Sequence, residues 1–288
     1  MVKYNTNLCD RTGDELMLQL TKSCPNSCSF CIDKLNKGVE YKGKPNFDKI
    51  KHIINTYHSY VTGITISGGE PLLYIDETLD LVKYIKENTN LAVILNTSIP
   101  YQCVEKKEVF YEIIELCDSI LLSCQHFDQN IADRIRRSKS NFDRNAFYRE
   151  LPHKEKFVAS INVFKPYLCT KEDIIDNIRV FNRLGFKNIK LAEVFERPDM
   201  HVSIKDVLGI KLKIPFAEGC SNKNVDITKY IPDFDGNLTI KTVCFIKSAN
   251  LYPNFWDFLK IITRNLFRRK RYFFGVIQPN GEIYPYWI

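Results

Sequence analysis

The sequence predicts an α/β fold: parallel strands inside a layer of helices, followed by a smaller α+β segment. Three observations carry this. Six strand-like runs alternate with helical patterns over about the first 195 residues, the rhythm of β–α units. Leu91–Asn96 (LAVILN) is almost continuously apolar, as a parallel strand covered on both faces must be. After about residue 200 the rhythm changes to short runs broken by the turn pairs Asp235-Gly236 and Asn280-Gly281.

The elements follow in order. The first ten residues read as an arm. Glu15–Thr21 alternates apolar and polar and makes a first strand. Lys34–Lys44 is a polar loop with two glycines. Asn46-Phe47-Asp48 opens a helix to about Ser59, with Phe47, Ile50, Ile53, Ile54 and Tyr57 on one face. Val61–Ser67 is a strand, Asp76–Asn88 a helix, Leu91–Asn96 a strand, Glu105–Cys117 a helix and Ser119–Ser123 a strand. The stretch 128–151 is basic and helical in part. Phe157–Phe164 is the fifth strand. Thr170–Leu184 is a helix with a Thr N-cap, acids in its first turn and a stop at Gly185. Asn188–Glu193 is the sixth strand. The pattern divides the chain at 1–199 and 200–288.

At 288 residues and 44% hydrophobic the chain has ample material for one large core. No secretory signal is expected from polar Met1–Asp10, and no apolar run reaches membrane-spanning length. Ten Cys without an export signal, three of them in a metal-type loop, point to a reducing cytoplasmic setting. The net charge of +7 permits an anionic partner without demanding one.

The chemistry-bearing stretch is Cys24-Pro25-Asn26-Ser27-Cys28-Ser29-Phe30-Cys31. At this composition about 0.01 triads of C-x3-C-x2-C spacing arise by chance. A loop this short can wrap three thiolates around one metal centre, and both zinc and iron–sulfur clusters accept thiolates. Structural zinc needs four ligands, and no fourth follows at finger spacing. A cubane on three Cys leaves one iron open. A second motif, Ile66-Ser67-Gly68-Gly69-Glu70-Pro71, ends a strand. Adjacent glycines there let a ligand lie against the backbone.

Together these motifs resemble the radical S-adenosylmethionine (radical SAM) superfamily, which carries C-x3-C-x-aromatic-C and Gly-Gly-Glu(-Pro); Phe30 fits the aromatic position. The resemblance implies an incomplete (β/α)6 barrel, open on one side, with active groups at the C-terminal ends of the strands. It makes Cys24, Cys28 and Cys31 ligands of a [4Fe-4S] cluster whose open iron chelates the methionine end of SAM. Gly68, Gly69 and Glu70 then hold the SAM amino group, and Asn96, Ser123 and Asn162 meet SAM or substrate. The implied activity is reductive cleavage of SAM to a 5′-deoxyadenosyl radical, which abstracts hydrogen from a peptide, protein or small metabolite. A reductant such as flavodoxin or ferredoxin is implied. The stretch Ser160–Val163 with Lys190–Glu193 resembles the molybdopterin-precursor synthase branch. Phe273–Trp287 resembles the last hairpin of SPASM/twitch appendages, with Tyr286 near the usual Cys. Only Cys220 and Cys244 remain there, too few for a second cluster.

Further candidates are Thr97, Gln125, Glu193 and His126 at or after strand ends. Cys9, Cys103, Cys117, Cys124 and Cys169 read as packing thiols, with hydrogen-atom donation to a substrate radical as the alternative for Cys124 and Cys169. The helical stripe of Phe255–Phe274 ends in the basic run 264–271, and Arg134, Arg136, Arg137, Lys139 and Arg144 form a second basic cluster in 134–144. Either suits a solvated face, an anionic substrate, nucleic acid or a membrane surface. The alternatives to a peptide- or metabolite-modifying enzyme are therefore a radical SAM enzyme acting on a nucleotide or RNA, a non-catalytic zinc- or nucleic-acid-binding protein, and a degenerate radical SAM scaffold.

Overall fold

A computed structural model describes residues 14–31, 43–194, 197–210, 220–243 and 273–284. Within them the alternation becomes β1 (Asp14–Thr21), α1 (Phe47–Tyr57), β2 (Gly63–Gly68), α2 (Ile75–Asn88), β3 (Ala92–Thr97), α3 (Gln102–Glu105), α4 (Lys107–Leu116) and β4 (Ser119–Ser123). Then come α5 (Gln129–Arg136), α6 (Arg144–Glu150), β5 (Phe157–Val163), α7 (Lys171–Arg183), β6 (Asn188–Glu193) and α8 (Ile204–Leu208). Strands β7 (Cys220–Val225), β8 (Asn237–Val243), β9 (Phe273–Ile277) and β10 (Ile283–Tyr284) follow. The single helix expected over 105–117 is two, broken at Lys106, whose backbone (φ −117, ψ 55) is not helical.

All ten strands form one sheet, in the order β10-β9-β1-β2-β3-β4-β5-β6-β8-β7. Strands β1 to β6 pair in parallel and in sequence order, which requires each helix to cross over on the same side. The sheet has two edges, so it is an incomplete barrel. The break at 199/200 is not a break in the sheet. Strand β9 lies parallel to β1 (Asp14↔Phe273 to Leu18↔Ile277), and β8 lies parallel to β6 (Asn188↔Asn237 to Ala192↔Lys241). The described part of 200–288 thus extends the barrel at both edges rather than closing on itself. Asn280-Gly281 forms the expected hairpin, with Ile277 opposite Ile283. Asp235-Gly236 also lies between antiparallel neighbours, at the end of the long connection from β7 to β8 (Val225↔Leu238), rather than in a tight two-residue turn.

Strand alternation sorts side chains between the two faces. Leu16, Leu18, Leu20, Ile64, Ile66, Val93, Leu95, Ile120, Leu122, Ile161, Ile189, Leu191, Leu238 and Ile240 belong to one continuous core with the inner stripes of the helices. The other face carries Gln19, Ser67, Asn96, Ser123, Ser160, Asn162 and Lys190 on alternate positions. A polar inner face is not a packed core; it is a surface for ligands.

Helix α7 shows how local sequence fixes an element. The Thr170 hydroxyl accepts from the Asp173 N–H at 3.1 Å, and the Asp173 carboxylate accepts from the Thr170 N–H. Thr170→Ala should lower stability by about 1 kcal/mol in denaturant titration, with iron binding unchanged.

Candidate functional site

The site lies at the C-terminal ends of β1 to β5. The loop that carries the three cysteines leaves β1 and is held from several sides. The Gly69 N–H donates to Thr21 O at 2.6 Å and the Glu70 N–H to Ser23 O at 2.8 Å, pressing the end of β2 onto the residues before Cys24. This needs both glycines. Gly68 has φ +127, and a Cβ on Gly69 would run into the Ser23 carbonyl. The glycines therefore serve a close approach within the protein's own backbone. Gly69→Ala should cost about 1–3 kcal/mol and lower iron loading together with the thermal midpoint; unchanged values of both would contradict this packing.

Farther along the loop, the Ser27 N–H donates to Arg136 O at 2.6 Å. Asn26 donates through Nδ2 to Ser98 Oγ (2.9 Å) and accepts at Oδ1 from Ser138 Oγ (2.7 Å). Arg197 Nη1 donates to Ser29 O at 3.1 Å, and the Phe30 ring packs on Phe164 at 4.9 Å between centroids. The Cys24 thiol is pushed up to about 12, first by burial and then by Glu70, Cys28 and Cys31, against the Asn26 N–H that bonds its sulfur. None of the three cysteines is in a disulfide.

Glu70 is 1% exposed. Its carboxylate accepts from Thr97 Oγ1 (2.7 Å), the Ser98 N–H (2.8 Å), Ser98 Oγ (2.7 Å) and the Leu72 N–H (3.2 Å). Burial raises its pKa and these donors pull it back down. The carboxylate is a strut that ties the end of β2 to the end of β3, with its oxygens already occupied by internal donors. The residue after that turn, Ile99, has φ 53, a conformation a β-branched side chain rarely adopts. Arg144 Nη1 clamps it through Ser98 O and Ile99 O at 2.8 and 3.0 Å.

The three cysteines, Gly68, Gly69, Glu70, Asn96, Ser123 and Asn162 all line a single cavity of about 210 Å³. Thr97 and Gln125 line it too, with Gln125 at φ 64 and its Oε1 3.5 Å from Asn162 Nδ2. Sequence reasoning missed five other wall residues: Asn26, Ser67, Ser98, Leu121 and Arg136. Arg136 was read as part of a basic surface cluster, yet it is 1% exposed. Its position on the Ile131, Ala132, Ile135 stripe of α5 was the available signal. Its Nη2 donates to Ser123 O and Cys124 O at 3.2 and 3.0 Å, while its Nε and Nη1 have no hydrogen-bond partner among the described residues. Arg144 is also buried, at 7%. Two of the five cations in 134–144 are therefore interior groups, which removes them from any nucleic-acid face. The run 264–271 lies outside the described residues, as do Cys9, Cys244 and Tyr286.

Other candidates sit elsewhere. Glu193 accepts from the Ile204 N–H at 2.8 Å and lies 3.4 Å from His201 Nε2. His126 accepts at Nδ1 from the Asp128 N–H and stacks on Phe127; burial lowers its pKa. Cys103, Cys117 and Cys124 are buried thiols, and Cys169 sits 3.8 Å from Pro166 O. None of these six lines the cavity.

The walls fit the implied cofactors. Among the described residues, no three His, Cys, Asp or Glu side chains are placed to hold a single metal ion. A four-iron cluster attaches each thiolate to a different iron, so its ligands need not converge on one point. Among the described residues, Asn96 Oδ1 is a buried acceptor without a hydrogen-bond partner, and Arg136 Nε and Nη1 are buried donors without one. The cavity wall carries a guanidinium residue, Arg136, with the amide and hydroxyl residues Asn96, Ser123, Gln125 and Asn162, groups of the kind that can meet the carboxylate and ammonium ends of an amino acid.

No helix among the described residues is long and apolar enough to cross a membrane. By sequence the chain is 26% identical over 231 residues to a pyruvate formate-lyase-activating enzyme from Staphylococcus aureus, covering 77% of this chain and 90% of that protein. By structure it is similar to Streptococcus suis SuiB bound to the precursor peptide SuiA, with a TM-score of 0.60 at 18% identity, and to SuiB bound to S-adenosylmethionine, with a TM-score of 0.59. The SuiB likeness covers 95% of this chain but only 59% of the SuiB chain, and at that identity it shows the fold. These relatives give no support to the molybdopterin-precursor branch. The Radical SAM superfamily matches residues 18–195, more than half of the 288-residue chain, and the protein therefore belongs to it: it is a radical SAM enzyme, with a [4Fe-4S] cluster and S-adenosylmethionine as cofactors.

Proposed function

We propose that Cys24, Cys28 and Cys31 ligate the cluster, that the opposite wall of the cavity holds the amino-acid end of SAM, and that the enzyme abstracts hydrogen from a polypeptide substrate. One observation supports the assignment of the site: three thiols, the guanidinium residue Arg136 and the amide residues Asn96 and Asn162 line one cavity. When bound, the cofactors supply reductive cleavage of SAM and the radical that takes the hydrogen atom. The chain's own residues bind, orient and exclude water. Arg136 receives the SAM carboxylate and Asn96 Oδ1 its ammonium group. Glu70 holds the β3 turn in place rather than touching the ammonium group. Ser123, Gln125 and Asn162 supply polar contacts for the rest of SAM or for substrate. Phe30 and Phe164 wall the cysteine loop with apolar surface. The described strands of 200–288 extend the barrel at its edges, and this part of the chain carries no second cluster. An external one-electron reductant is required.

The polypeptide reading is supported by similarity to an enzyme whose name states that it activates another enzyme. Hydrogen-bonding side chains on the inner face of the sheet suit an amide-rich substrate. Binding of candidate peptides to reconstituted protein should change little between low and high salt. A steep fall of RNA affinity with salt, together with no peptide binding, would favour a nucleotide substrate instead.

A further inference from the structure

Arg136 and Arg144 are two buried guanidinium groups, 1% and 7% exposed. Each is close enough to the other to be felt electrostatically, and Arg136 also to Cys28. Among the described residues neither has a carboxylate partner. Arg144 donates to Ser98 O, Ile99 O and Ser140 Oγ. Arg136 donates to Ser123 O and Cys124 O. The nearby acid Asp133 is occupied by Ser140, and Glu70 by its four neutral donors. Burying a cation without a counter-charge is costly unless the site is built to meet negative charge. The Arg136 backbone also touches the cysteine loop, since its carbonyl accepts from the Ser27 N–H, one residue before Cys28.

Resting on the assignment of Cys24, Cys28 and Cys31 as cluster ligands, we infer that Arg136, backed by Arg144, is a positioning residue that sets the cluster's reduction potential before SAM binds. Reduction adds one electron from the external donor to a cluster that already carries three thiolates. Net charge, hydrogen bonds to sulfur and solvent exposure determine how favourable that step is. A cation fixed in the desolvated wall of the cavity that Cys28 also lines favours the reduced form. Arg144 adds charge from behind without lining the cavity.

The test is an EPR-monitored potentiometric titration of the anaerobically reconstituted full chain, in the absence of SAM. Wild type is compared with Arg136→Met, Arg136→Lys and Arg144→Met. Without SAM present, a role in holding its carboxylate contributes nothing to the midpoint. Arg136→Met, with its iron retained, should shift the reduction equilibrium at least tenfold toward the oxidised form, a midpoint lower by about 59 mV or more for one electron. Arg136→Lys should recover most of that shift, and Arg144→Met should show a smaller one of the same sign. An Arg136→Met protein with full iron and the wild-type midpoint overturns the inference. Should that variant fail to hold its cluster, Arg144→Met decides in its place: a lowered midpoint supports the inference and an unchanged one overturns it. Wild-type protein that takes up no iron would instead refute the ligand assignment, and the inference with it.

Discussion

Replacing Cys24, Cys28 and Cys31 together by alanine is expected to give a folded protein that takes up no iron and cleaves SAM under dithionite at less than about 1% of the wild-type rate, since no cluster remains to deliver the electron. The expectation that it folds is specific to this structure. Apart from the Asn26 N–H on the Cys24 sulfur, the loop is anchored by the Ser27 N–H, the Asn26 side chain, Ser29 O and the two backbone bonds from Gly69 and Glu70, and these do not use a cysteine side chain. The loop is therefore shaped before any cluster arrives, and circular dichroism should show wild-type secondary structure. A variant that retains SAM cleavage would remove the three thiols from the mechanism.

Glu70→Ala carries the second large effect, and here the loss is of stability and site together. The substitution leaves the Thr97 hydroxyl, the Ser98 hydroxyl and the N–H groups of Ser98 and Leu72 without their acceptor in a buried position. Unmet buried donors cost about 1–3 kcal/mol each and do not add fully. A total near 3 kcal/mol is expected, about 6–12 °C in thermal midpoint for a chain of this size. Glu70→Gln keeps one acceptor oxygen but turns an amide toward donors, and should fall between the two. If the side chain instead acted only on the ammonium group of SAM, Glu70→Ala would weaken SAM binding and leave the thermal midpoint of SAM-free protein unchanged.

Much of this site was legible in the sequence because its signals are local. The cysteine spacing, the Gly-Gly-Glu-Pro turn and the residues at strand ends each lie within a few positions of one another, and parallel pairing in sequence order gathers them at one end of the sheet. What stayed hidden depends on pairing across long separations. Arg136 looks like one of a basic run until α5 is packed and Ile131, Ala132 and Ile135 carry it inward. Ser98 and Asn26 are ordinary polar residues until a bond across 72 positions joins them. The ties of Glu70 to Thr97 and Ser98 were hidden for the same reason, since they reach from the end of β2 to the end of β3. The division at 199/200 followed a real change of rhythm, but sequence rhythm says nothing about β9 returning to lie beside β1.

Iron content and EPR of the anaerobically reconstituted wild-type protein, reduced with and without SAM, test the central claim most directly. About four irons per chain and a reduced signal that changes when SAM is added are expected. About eight irons would contradict the reading that residues 200–288 hold no second cluster. One tightly held zinc, with no cluster signal, would contradict the account of the site as a whole.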